Sequence, residues 1–131
     1  MKKREESELL VIVKAKDLGN YIFTVTDKSP KKFRFSLISR LQNLALSMIE
    51  NLYRANMVFV KDSKAIDKIE VRKKYQREAY VDLKLLGYMA LMAKEQGGIL
   101  AKQYEQISIR STEVIRLLLA WSRSDQNRYK G

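Results

Sequence analysis

Residues that break helices are scarce in this chain: it has five glycines and one proline in 131 residues, under half the share of about 12% in an average protein. A chain with so few places to turn folds into long elements, and its apolar residues recur at helical steps of three and four. The first predicted helix runs from Glu6 to Thr26 through Leu10, Val13, Leu18, Tyr21, Ile22 and Val25, and Asp27-Lys28-Ser29-Pro30 ends it. Its β-branched tail, Tyr21 to Thr26, also admits an extended reading. The second runs from Ser36 to Phe59 on Leu37, Leu41, Leu44, Met48, Leu52, Ala55 and Phe59. Ser63 is the expected N-cap of the third, with Asp67 in its first turn. That helix continues to Glu95 through Ile66, Ile69, Ala79, Leu83, Leu86, Ala90 and Ala93, and Gly97-Gly98 stops it. The fourth, Leu100 to Ser124, steps through Tyr104, Ile107, Ser111, Val114, Leu118 and Trp121. Four long helices with short connections predict an all-α fold, an antiparallel up-down-up-down four-helix bundle forming one domain over residues 1–131.

Composition removes most catalytic classes. The chain contains neither cysteine nor histidine. Disulfide frameworks, thiolate nucleophiles, imidazole-based triads and the usual zinc, haem and di-iron sites are therefore excluded. No metal or other cofactor is expected. Glu50, Glu78, Glu105 and Glu113 are the acids available for proton transfer, but Glu50, Glu105 and Glu113 fall on solvent-side positions. No glycine-rich phosphate loop accompanies any of them. The reading is a protein that is not an enzyme, has no catalytic residues and takes no small-molecule substrate. The apolar run Leu9 to Val13 is too short for a signal sequence core or a membrane span, so a cytoplasmic protein without a membrane partner is expected.

The net charge of +11 speaks about partners. No acid lies between Asp27 and Glu50, whereas Lys28, Lys31, Lys32, Arg34 and Arg40 do. A second cluster, Lys68, Arg72, Lys73, Lys74 and Arg77, opens the third helix, where steps of four place its members on adjacent strips. In an antiparallel bundle Arg116, Arg123, Arg128, Lys130 and the opening Lys2, Lys3 and Arg4 are expected at the same end. Each lysine alone reads as part of a solvated face. Together they read as the electrostatic footprint of phosphate binding. Tyr75 and Tyr80 flank the second cluster as stacking candidates or as core residues.

Two stretches are apolar nearly all round. Between Leu83 and Ala93 the only charge is Lys84, and between Val114 and Trp121 it is Arg116. One reading is a broad core contact. The other is a second buried face, which makes Leu85, Met89, Leu91, Met92, Ile115 and Leu119 the candidate interface of a homo-oligomer.

Pro30-Lys31-Lys32 before a long amphipathic helix resembles the accessory variability determinant proteins of diversity-generating retroelements. So does a last helix reading Glu113-Val114-Ile115-Arg116-Leu117-Leu118-Leu119-Ala120-Trp121 before a basic tail, Tyr129-Lys130-Gly131. That family belongs with the four-helix-bundle proteins encoded in intervening sequences of bacterial ribosomal RNA genes. Arg116 and Trp121 match its last-helix pattern, while Ile115 and Leu119 stand where it favours glycine. The resemblance implies a basic, ring-shaped homopentamer that associates with a reverse transcriptase and its template RNA and has no catalytic activity of its own. By position it implies binding through Lys84 and Arg116, with Arg72, Lys73 and Arg77 beside them. A stand-alone RNA-binding bundle and a scaffold for an acidic protein are the competing readings.

Overall fold

The computed structural model describes residues 2–130, with side chains described from residue 10 onward. The side chains of Lys2, Lys3 and Arg4 therefore lie outside the described residues, as does Gly131. Apart from its turns the described chain is helical, and it contains no strand. Its four α-helices are α1 (Lys2–Thr26), α2 (Ser39–Met57), α3 (Ile66–Glu95) and α4 (Ala101–Arg128).

Each helix contributes one stripe to a single core, and the stripes step mostly by three or four residues. They are Val11, Ala15, Leu18 and Ile22 from α1, and Leu41, Ala45, Met48, Leu52 and Ala55 from α2. Ala79, Leu83, Leu86, Ala90 and Ala93 come from α3, and Ile107, Val114, Leu118 and Trp121 from α4. The expected stripe of the first helix is corrected here. Leu10 and Val13 face solvent, because the sequence of α1 offers two apolar strips and packing takes the one through Val11 and Ala15. Phe59 lies beyond the end of α2 and Ile66 opens α3; both are exposed rather than core.

The segment Tyr21–Thr26 is helical, so its extended alternative is ruled out. The Thr26 hydroxyl donates to the Ile22 carbonyl at 2.6 Å and accepts from Gln42 Nε2 at 3.0 Å, tying the end of α1 to α2. A tight 3₁₀ turn over Lys31–Phe33 and a wider π turn over Arg34–Ile38 then precede α2. Ser63 does not cap α3. The N-cap is Ala65, with no side-chain hydrogen bond, and Asp62 Oδ1 instead accepts from the Lys64 N–H in the preceding turn.

Gly97 and Gly98 end α3 as expected, and the geometry shows how. Gly97 has φ 83°, the left-handed conformation that glycine adopts without strain. The Gly98 N–H reaches the Ala93 carbonyl at 2.7 Å and the Gly97 N–H reaches that of Lys94 at 3.1 Å, the paired closure of a Schellman motif. Phe33 packs against the face of Gly98, where an added Cβ would lie 3.4 Å from the ring. The start of α4 is closed by Gln103 Oε1, which accepts from the Leu100 N–H at 2.9 Å.

Packing pairs α1 with α2 and α4, and α3 with the same two helices. Gly19 of α1 approaches Ile49 of α2 so closely that a Cβ would lie 2.8 Å from Ile49 Cδ1. Lys14 meets Glu113 at 3.4 Å and the Arg110 guanidinium lies 4.5 Å over the Tyr21 ring, joining α1 to α4. Ser47 and Asn51 of α2 donate to Asp82 of α3 at 2.7 and 2.9 Å.

Candidate nucleic-acid interface

The core stripe of α3 does not stop at Ala79. Stepping back by three and four it passes through Gln76 and Arg72, both buried, and the stripe of α4 steps forward from Trp121 to a buried Asp125. These polar residues meet. Arg72 Nε and Nη2 donate to the two oxygens of Asp125 at 2.6 and 3.1 Å, and Gln76 Nε2 donates to the same carboxylate at 2.9 Å. Arg72 Nη1 reaches the Val58 carbonyl at 3.2 Å, and the guanidinium lies 5.1 Å from the Trp121 ring centroid. A bidentate arginine–carboxylate pair of this kind holds its charge inside the protein.

This corrects one expected contact. Arg72 is 5% exposed, and its guanidinium is committed to Asp125, Val58 and Trp121, so it is out of reach of a phosphate. Tyr75 and Tyr80 are half-buried, each with part of its ring packed against the core.

The neighbouring cations are placed differently. Lys68, Lys73, Lys74 and Arg77 on α3 are exposed, as are Lys84 further along it and Arg116 and Arg123 on α4. Lys73 lies 3.9 Å from Glu70, whereas Lys74, Arg77, Lys84, Arg116 and Arg123 form no ion pair among the described residues. Several acids that could have neutralised them are engaged elsewhere: Glu113 with Lys14, Asp125 with Arg72, and Asp82 with Ser47 and Asn51. A shallow groove between α3 and α4 runs past Lys73, Arg77, Tyr80, Leu119, Ser122 and Gln126. It offers two cations and three neutral hydrogen-bonding side chains to a ligand lying along the seam.

Lys28, Lys31, Lys32 and Arg34 are likewise exposed, but they belong to a separate site. Phe33 ties their turn to Gly98, after the end of α3, while the seam cluster begins near Arg72. At 1.5 Å per residue along α3, Arg72 lies roughly 40 Å from Gly98 and Lys84 roughly 20 Å from it. The structure thus splits the twelve predicted binding residues into a group exposed on α3 and α4, of which Lys73 and Arg77 line the seam, a turn group and a buried Arg72.

The candidate interface residues also divide. Leu85, Met92 and Leu119 are exposed, at 43%, 37% and 43%. Met89, Leu91 and Ile115 are half-buried, and Met89 and Ile115 pack on the core. Val81 and Tyr88, which sequence reasoning missed, join Leu85 and Met92 in one exposed apolar strip on α3 at steps of four, three and four. Their spacing was the available signal. Among the described residues no group of His, Cys, Asp and Glu could hold a metal ion, and no helix is long and apolar enough to cross a membrane. Compared with protein-family models and with curated proteins, the chain matches none.

Proposed function

We propose that this protein is a non-catalytic, basic, homo-oligomeric nucleic-acid-binding accessory protein, with RNA as its main ligand and a reverse transcriptase as its partner. Its resemblance to the accessory proteins of diversity-generating retroelements supports that partner and a pentameric, cytoplasmic assembly. The observation that carries the reading is the set Lys74, Arg77, Lys84, Arg116 and Arg123, exposed on α3 and α4 without an ion pair among the described residues. Cations left uncompensated on adjacent helices attract a polyanion, and they release its counterions on binding. The apolar strip Val81, Leu85, Tyr88 and Met92 supports self-association.

The helices run up-down-up-down in this reading, a topology supported by pairs whose numbers fall on one helix as they rise on the other. Thr26 meets Gln42 where Gly19 meets Ile49, and Arg72 meets Asp125 where Lys94 lies over Tyr104.

Two measurements test the proposal. Replacing Lys74, Arg77 and Lys84 with Gln lowers the slope of log K against log salt for single-stranded RNA by about 2, at roughly 0.7 for each phosphate no longer neutralised, with the helical CD signal retained. Unchanged RNA binding removes these three cations from the interface. Leu85→Glu reduces the mass in solution to that of a monomer; an unchanged mass removes the strip from self-association.

A further inference from the structure

The turn between α1 and α2 holds a feature that phosphate binding alone does not explain. Phe35 is 91% exposed, the most open large apolar side chain among the described residues. It stands amid Lys28, Lys31, Lys32, Arg34 and Arg40, all exposed, in a stretch without an acid. The ring is held out by ordered structure on both sides. Two residues before it, Phe33 packs on the core and against Gly98, with Lys32 Nζ 5.1 Å from its ring centroid. Three residues after it, Ile38 is buried. The intervening π turn carries Phe35 outward.

Beside the ring lies a groove lined by Ser36, Ser39, Arg40 and Asn43, with Leu37 and Met89 completing it. An open aromatic face stacks on an unpaired base whatever its identity, and surrounding cations neutralise the phosphates on either side. Hydroxyl and amide groups next to the ring meet the edge of a stacked base, for which a lipid tail has no counterpart.

We propose that this turn is a docking surface for single-stranded nucleic acid, in which Phe35 stacks on an unpaired base while Arg34 and Arg40 engage the flanking phosphates. The inference rests on the nucleic-acid reading above and adds a preference to it. A base inside a duplex offers no free face, so the turn distinguishes single strands from paired ones.

The test compares a short unstructured RNA strand with a blunt RNA duplex as ligands of the full chain, by fluorescence anisotropy. Phe35→Ala weakens single-strand binding by roughly 5- to 150-fold, the range for loss of one stacked base. Duplex binding stays within about twofold. Phe35→Trp restores the single-strand affinity, and its added emission is quenched by the strand. Since the ring is exposed, both variants keep the wild-type CD spectrum and solution mass. Equal losses on strand and duplex, or none on either, overturn the proposal while leaving RNA binding in place. A fall in solution mass for Phe35→Ala overturns it in favour of contact with a second copy. Quenching absent with RNA, and a blue shift of Phe35→Trp on phosphatidylserine-containing vesicles, overturns it in favour of a membrane. If the wild type binds neither RNA, the functional reading falls as well.

Discussion

Two regions of this molecule carry five lysines and arginines each and differ in what that charge does. Where α3 begins, Arg72 points inward and donates to Asp125, with Gln76 and Trp121 closing around it. In the turn between α1 and α2 and the first residues of α2, five cations and a phenylalanine point outward with no acid among them. The first arrangement is a structural element that happens to be charged. The second is a surface whose charge is available to a partner. Counting lysines and arginines does not separate the two, because availability depends on burial and on where the acids sit.

The largest effect that distinguishes them is on stability. Asp125→Ala leaves Arg72 buried without its carboxylate and Gln76 without its acceptor, and it lowers the unfolding free energy by about 3–5 kcal/mol, read from urea denaturation. The double variant Arg72→Met/Asp125→Leu recovers most of that loss, since an apolar pair of similar volume removes both buried charges. If Asp125→Ala is neutral, the inner pair does not hold the bundle end together. Next comes an effect on binding alone. Changing Lys31, Lys32, Arg34 and Arg40 to Gln lowers the single-strand salt slope by about 3 and leaves the urea midpoint unchanged. A slope equal to the wild type's would show that the turn takes no phosphate. The smallest effect sharpens the boundary between the regions. Glu70→Gln removes the exposed partner of Lys73, shifts stability by less than about 0.5 kcal/mol and strengthens RNA binding slightly by deleting a nearby acid. A large stability loss there would mean that this pair, too, is structural.

Much of the fold was legible because the apolar steps of α2, α3 and α4 are regular. The glycine pair after Glu95 carried a backbone requirement that no other residue meets as easily. The limits of that legibility are physical. In α1 two apolar strips compete, and only contact with α2 and α4 selects Val11 over Leu10 and Val13. The buried pair was hidden by chemistry rather than by position: Arg72, Gln76 and Asp125 all fall on extensions of the core stripes, but a reading that tracks only apolar residues stops at Ala79 and Trp121. Carrying the same step one turn further would have found them. Phe35 was hidden by its neighbour. Phe33 and Phe35 are two residues apart across a change of helix type, and periodicity cannot assign the inner ring when the turn itself is irregular. For the candidate site, residue type identified the basic stretches. It could not show that they lie at different ends of α3, nor that one of their members faces inward.

The π turn has a consequence for how this chain tolerates length changes. A π turn holds more residues than an α turn, so it sets the angular phase between the chain before it and the helix after it. Each residue of an α-helix advances about 100°. Deleting one residue between Arg34 and Ile38 would regularise the backbone and keep Leu41 and Ala45 in the core, but it would rotate everything upstream by about that angle. Phe33 would leave its seat at Gly98 and Phe35 would swing off its outward bearing. A single missing residue in this stretch, which costs little backbone hydrogen bonding, would therefore redraw the surface around Phe35.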